Sequence, residues 1–176
     1  MDRARLVALL CAVAGAGGVA AAHVEQYPKR DRLELRPTGV RLVIDYAVPP
    51  GEDARTLRKI FDRDHSGALD ADEYAALGKA LGDEARRFLS LTVDGQAVSF
   101  RAETHPGPAG QGNERLVVEL SLEANVAVHG KLILEDRHKD RRILVPVTVV
   151  TQGVKLASLP SLVTVSTGHP LELAVE

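Results

Sequence analysis

The sequence predicts a mainly β protein, an antiparallel β-sandwich interrupted early by an inserted helix–loop–helix. Three observations carry that expectation. Apolar and polar residues alternate over long runs, as at Val40, Leu42, Ile44, Tyr46 and Val48 and again at Leu116, Val118, Leu120 and Leu122. Turn residues punctuate the runs: Pro37-Thr38-Gly39, Pro49-Pro50-Gly51 and the hairpin pair Asp94-Gly95. Only the stretch 52–87 and its border change period, with Leu57, Ile60 and Phe61, then Tyr74, Leu77, Leu81, Ala85 and Phe88, at helical spacing.

Leu33 and Leu35 open the first strand, and Val40–Val48 form a half-buried second one with Arg41, Val43, Asp45 and Ala47 on its other face. Two helices are expected to flank residues 62–73. Gly78 and Gly82 weaken the second, which is predicted to break near Gly82-Asp83, because glycine is a poor helix former. Leu89, Leu91 and Val93 lead through Asp94-Gly95 to a returning strand carrying Val98, Phe100 and Ala102. Residues 105–113 (HPGPAGQGN) read as a flexible loop. Lys131–Glu135 and Ile143–Val150 predict a hairpin closed by the charged, solvated turn Asp136–Arg142. Pro146 puts its second strand at an edge or a bulge. Short strands near 162–166 and 171–175 bring the expected number to roughly eight or nine, without an internal repeat.

A chain of 176 residues suggests one domain. Hydrophobic residues at 45% supply one core. Aromatics at 3%, with no Trp, weigh against stacking platforms, and a net charge of −2 without a basic stripe argues against nucleic acid. Residues 1–22 read as a signal peptide: Arg3 and Arg5, then the apolar run Leu6–Val13, then Ala20-Ala21-Ala22 with cleavage before His23. Residues 23–176 would then be one exported domain, periplasmic or secreted, with 20 basic and 23 acidic residues and a net charge of −3. Cys11 falls inside the leader, so the mature chain would use neither disulfides nor cysteine ligands. No second apolar stretch is long enough to span a bilayer, so the mature chain should carry no membrane span.

The chemistry lies in Asp62-Arg63-Asp64-His65-Ser66-Gly67-Ala68-Leu69-Asp70-Ala71-Asp72-Glu73. Calcium is a hard cation that takes about six to eight oxygens at about 2.3–2.6 Å. A single loop supplies them when oxygen-bearing residues recur at alternate positions around a sharp turn. Asp62, Asp64 and Ser66 would offer side chains at positions one, three and five, and Gly67 permits the turn. Ala68 would give its main-chain carbonyl, Asp70 would act directly or through water, and Glu73 would close the shell with both oxygens. Leu69 should pack inward, and His65 should face solvent. Four carboxylates in one short loop repel each other without a cation.

This pattern fits D-x-[DN]-x-[DN]-G-x5-E with one change, Ser66, and residues 52–81 resemble an EF-hand in loop and flanking helices. The resemblance implies Ca²⁺ binding through Asp62, Asp64, Ser66, Ala68, Asp70 and Glu73. EF-hands usually pair, and Asp136–Asp140 (DRHKD) lacks the glycine and closing glutamate of a second loop. A lone hand implies an affinity near that of extracellular modules, about 10⁻⁴–10⁻³ M, or somewhat tighter. The ion is then expected to be structural, or to tune a surface offering Leu77, Leu81 and Phe88 to another exported or membrane protein.

A broader layout is similar to that of bacterial periplasmic proteins associated with transition-metal transport. It comprises a mature N-terminus near His23, an early strand, an acidic helix–loop–helix, and Phe88–Phe100 with its Val93-Asp94-Gly95 turn. That similarity implies the alternative function, a transition-metal-binding or transporter-accessory protein in which His23 and the free α-amine chelate Cu or Ni. His105, His129, His138 and His169 show no ligand spacing and read as surface or turn residues. Ser158, Ser161 and Ser166 have no evident base, and no catalytic motif occurs, so no enzyme is expected.

Overall fold

The computed structural model describes residues 29–105, 111–137, 145–158, 163–165 and 169–176. The expected leader, its cleavage site, His23, His138, Ser161 and Ser166 lie outside them.

Strands β1 (Lys29–Arg36) and β2 (Gly39–Val48) form the first hairpin, joined through Pro37-Thr38 and paired from Lys29–Tyr46 to Arg36–Gly39. The alternation read in β2 is realised: Val40, Leu42, Ile44, Tyr46 and Val48 are all buried. Val43, on the opposite face, is buried as well. Pro49-Pro50-Gly51 ends the strand, and helix α1 (Glu52–Phe61) follows. Its first turn carries Glu52 and Asp53 and its last turn Arg58 and Lys59, the arrangement that complements the helix dipole.

Helix α2 (Ala71–Phe88) runs unbroken through both glycines, contrary to the break expected near Gly82-Asp83. The reason is tertiary. Gly78 and Gly82 are buried where α2 crosses β5 (Arg101–His105), and a Cβ on Gly78 would lie 2.1 Å from Thr104 Oγ1. Close packing offsets the weak helix propensity of glycine, about 1 kcal/mol each.

The remaining strands are β3 (Leu89–Val93), β4 (Gln96–Val98), β6 (Leu116–Ala124), β7 (Gly130–Asp136), β8 (Val145–Thr151), β9 (Leu156–Ser158), β10 (Thr164–Val165) and β11 (Leu171–Val175). They make two mostly antiparallel sheets, ordered β10-β8-β1-β2-β6-β5 and β4-β3-β7-β11-β9. Leu33, Leu42, Ile44, Leu120 and Leu122 of the first sheet share one core with Leu91, Leu132, Leu134 and Leu173 of the second and with Leu57, Leu77 and Leu81 of the helices.

Two pairings differ from the sequence reading. The strand expected through Val98, Phe100 and Ala102 is split, because the chain leaves one sheet after β4 and enters the other as β5, with Phe100 buried at the crossing. The expected hairpin of Lys131–Glu135 with Ile143–Val150 does not form. β7 pairs with β3 and β11, while β8 pairs in parallel with β1 and briefly with β10. A parallel neighbour requires a crossover, which local alternation cannot reveal. Pro146 is exposed and faces Thr164 of the two-residue strand β10, just before the β1–β8 ladder begins at Asp31–Val147. It therefore removes no hydrogen bond from that ladder.

The Asp94-Gly95 turn is tied across to the start of β7. Asp94 Oδ1 accepts from the Lys131 amide at 2.7 Å, and Oδ2 lies 2.8 Å from His129 Nδ1. The Lys131 amide, and His129 after it, hold the Asp94 carboxyl below the usual carboxylate range. A depressed carboxyl contributes stability above its unfolded pKa of about 3.9 and loses it as pH falls through the lower folded value. Asp94→Asn is therefore expected to lower the urea midpoint at pH 6, with the gap from the parent narrowing below about pH 4.

Candidate metal centre

The loop between the helices begins where α1 must stop and ends where α2 is capped. Asp62 is the C-cap of α1, its amide still donating to the Arg58 carbonyl at 2.7 Å. Asp70 is the N-cap of α2: its Oδ1 accepts from the Glu73 amide at 2.8 Å, and Glu73 Oε2 accepts from the Asp70 amide at 3.0 Å. This reciprocal capping box satisfies donors that a helix start leaves open. Glu73 Oε1 accepts from the Arg63 amide, so one carboxylate ties the start of the loop to its end.

The first half of the loop wraps inward by hydrogen bonds to its own carboxylates. The Ser66 amide donates to Asp62 Oδ1 at 3.0 Å and to Asp64 Oδ1 at 2.9 Å. The Gly67 amide donates to Asp62 Oδ2 at 2.9 Å. The Ser66 hydroxyl donates to the Ala68 carbonyl at 3.2 Å, so positions one, three, five and seven form one connected chain. His65 at φ 60° and Gly67 at φ 83° make the turn in left-handed conformations, which glycine adopts without strain. His65 is exposed and Leu69 is buried in the core, both as expected.

The wrapping brings together carboxylate oxygens of Asp62, Asp64 and Glu73, all within 4.8 Å of one another. Asp62 and Glu73 are buried, while Asp64 is exposed. The Ser66 amide first, with the Ser66 hydroxyl and Asp62, holds the Asp64 carboxyl below its ordinary range. Asp70 is outside this group and is engaged as the cap of α2. Three carboxylates and two neutral oxygens, all hard donors and none nitrogen or sulfur, suit a cation of the calcium type.

Sequence reasoning missed what stands behind the loop. Val48 at the end of β2 faces Leu116 at the start of β6, so α1 and residues 111–115 leave neighbouring strands side by side. The Gly51 amide extends that pairing to the Asn113 carbonyl at 2.7 Å. Ala68 and Gln111 form an antiparallel bridge, and the Gly112 amide donates to the Gly67 carbonyl at 2.9 Å. Of the stretch read as a flexible loop, residues 111–113 are thus tied to the helices, while 106–110 lie outside the described residues.

Arg58 holds this strap from below. It is 2% exposed, and its guanidinium donates to the carbonyls of Gly112, Glu114 and Arg115 at 2.9, 2.7 and 3.0 Å. Nε is buried without a hydrogen-bond partner among the described residues. Burial lowers the Arg58 pKa, against the raising effects of Tyr74 and Glu114. Tyr74, next to Glu73, donates its hydroxyl to the Val117 carbonyl of β6, anchoring the other end of the loop to the same sheet. The signal for Arg58 was present: with Ala54, Leu57 and Phe61 it lies on the buried face of α1.

His129 and His169 are exposed, as is Ser158. No helix among the described residues is long and apolar enough to cross a membrane. No protein-family model matches the chain, and no curated protein matches it at a significant level.

Proposed function

We propose that residues 52–81 form a single EF-hand, that its loop binds Ca²⁺, and that the ion stabilises an exported, non-catalytic β-sandwich. One observation carries the reading: Asp62, Asp64 and Glu73 converge within 4.8 Å at places one, three and twelve of a complete ligand pattern. Like charges held so close repel, and a divalent cation relieves them. Asp62, Asp64, Glu73, the Ser66 hydroxyl and the Ala68 carbonyl would hold the ion, with Asp70 reaching it through water. The ion would then join the end of α1 to the first turn of α2.

A structural role is favoured over a sensor. Of the residues a sensor would present, Leu77 and Leu81 are fully buried in the shared core and Phe88 is half-buried. The two glycines of α2 are in close contact with β5. Swinging α2 outward would break that contact and expose the core.

Calorimetric titration of the chain with Ca²⁺ and Mg²⁺ tests the reading. One Ca²⁺ site is expected, with Kd near 10⁻⁴ M, on the order of extracellular modules, and weaker Mg²⁺ binding, because Mg²⁺ demands near-octahedral geometry. No heat and no bound metal at millimolar calcium would end it.

A further inference from the structure

Among the described residues no second hand pairs with the loop, yet one side of it is paired. The geometry points to the strap Gln111–Arg115 as the built-in substitute for a partner hand, with Arg58 as the positioning residue that lets it set the loop's calcium affinity. This rests on the calcium reading above and names what regulates the same site.

The argument starts from the bridge. Ala68 faces Gln111, while the hydrogen bond runs between their neighbours, from the Gly112 amide to the Gly67 carbonyl. This is the narrow antiparallel pair, in which the facing residues do not bond each other and their own N–H and C=O point away from the opposite strand. The strap therefore turns the Ala68 carbonyl away from itself. The Ala68 contacts agree with that direction: its carbonyl accepts from the Ser66 hydroxyl at 3.2 Å and its amide donates to Ser66 Oγ at 3.4 Å, both within the loop itself. Ala68 is the place-seven ligand, and its oxygen has no side-chain torsion to adjust. Its aim depends on the backbone alone, and the strap holds that backbone.

The strap is itself held on two sides. Internally, the Glu114 amide donates to the Gln111 carbonyl at 2.9 Å, and Glu114 Oε2 accepts from the Gln111 amide at 3.0 Å. From below, Arg58 gathers the carbonyls of Gly112, Glu114 and Arg115 with one planar fork, which a lysine cannot copy. The three carbonyl acceptors offset the cost of burying this guanidinium, so moving the strap would leave a buried charge unsatisfied. Arg58 thereby orders the backbone that aims a ligand.

The coupling must be reciprocal: whatever the strap does for calcium, calcium does for the strap. The test is run on the full chain with Ca²⁺ as probe. Amide exchange at Gly112 is measured with and without calcium, and Kd is measured for wild type, Glu114→Gln, Glu114→Ala and Arg58→Lys. Calcium is expected to slow Gly112 exchange about tenfold, and Glu114→Ala and Arg58→Lys each to weaken Kd about tenfold, the size of one positioning hydrogen bond. Glu114→Gln keeps an acceptor and removes the charge, so it separates the hydrogen bond from simple Coulomb attraction and should stay within about threefold of wild type. Wild type needs no substitution to report exchange, so a misfolded variant does not decide the matter. If wild type binds calcium but Gly112 exchange is unchanged, or Glu114→Ala binds as tightly as wild type, the strap proposal falls and the calcium reading stands. If wild type takes up no calcium, both fall.

Discussion

Removing calcium with a chelator is expected to lower the melting temperature by about 5–11 °C, measured against calcium held at a hundredfold excess over Kd. A ligand that binds only the folded state stabilises by RT ln(1 + [L]/Kd), about 2.7 kcal/mol at that excess. For a domain of roughly 150 residues each kcal/mol moves the midpoint by about 2–4 °C. Glu73→Gln is the sharpest variant. Glutamine can still serve a capping box, so α2 keeps its start. It loses the charged pair of oxygens that closes the loop, and it can no longer accept from both the Arg63 and Asp70 amides. The variant should melt at the same temperature with calcium or chelator, and about 1 kcal/mol below the calcium-free parent. A parent whose melting ignores calcium at that excess would refute the structural role.

Gly78→Ala is expected to destabilise the protein by about 1–3 kcal/mol, although alanine is the better helix former by about 1 kcal/mol. The added Cβ would lie 2.1 Å from Thr104 Oγ1, 2.2 Å from Cγ2 and 2.4 Å from Cβ. Rotating the threonine moves the first two atoms but not the third, so helix and strand must separate. Gly82→Ala meets the Ala102 Cβ at 2.8 Å and Leu120 Cδ1 at an ordinary 3.5 Å, and a smaller loss is expected there. Urea midpoints at constant m-value would rank the two. A Gly78→Ala chain as stable as the parent would show that α2 does not rest on β5 as described.

What could be read from the sequence divides by distance along the chain. The Asp62–Glu73 loop is a local object, so place, turn and inward-facing Leu69 were all legible, and Asp62, Asp64 and Glu73 do converge. Asp70 was legible as an oxygen donor, but its structural use as a helix cap competes with direct contact to an ion. The alternation in β2 and β6 was legible for the same local reason. Sheet membership was not. β7 and β8 follow each other and look like a hairpin, yet their partners β11 and β1 lie far off in sequence. The break expected at Gly82 failed because propensity is a local term, and a contact with Ala102 outweighed it. Arg58 shares its helix face with Ala54, Leu57 and Phe61, a spacing visible in the sequence, but its charge masked that signal and its three carbonyl partners are distant in sequence.

The parallel seam between β1 and β8 carries a consequence for how the chain reaches its native state. Asp31 meets Val147 and Leu35 meets Thr151, so most of the chain lies between the two sides of that seam. Closing so large a loop comes late and slowly, because its entropy must be lost before the contacts are gained. Until β8 arrives, the β1–β2 hairpin can zip up locally but leaves one backbone rim of β1 unpaired. During synthesis or refolding, that rim is where another strand could add itself by mistake.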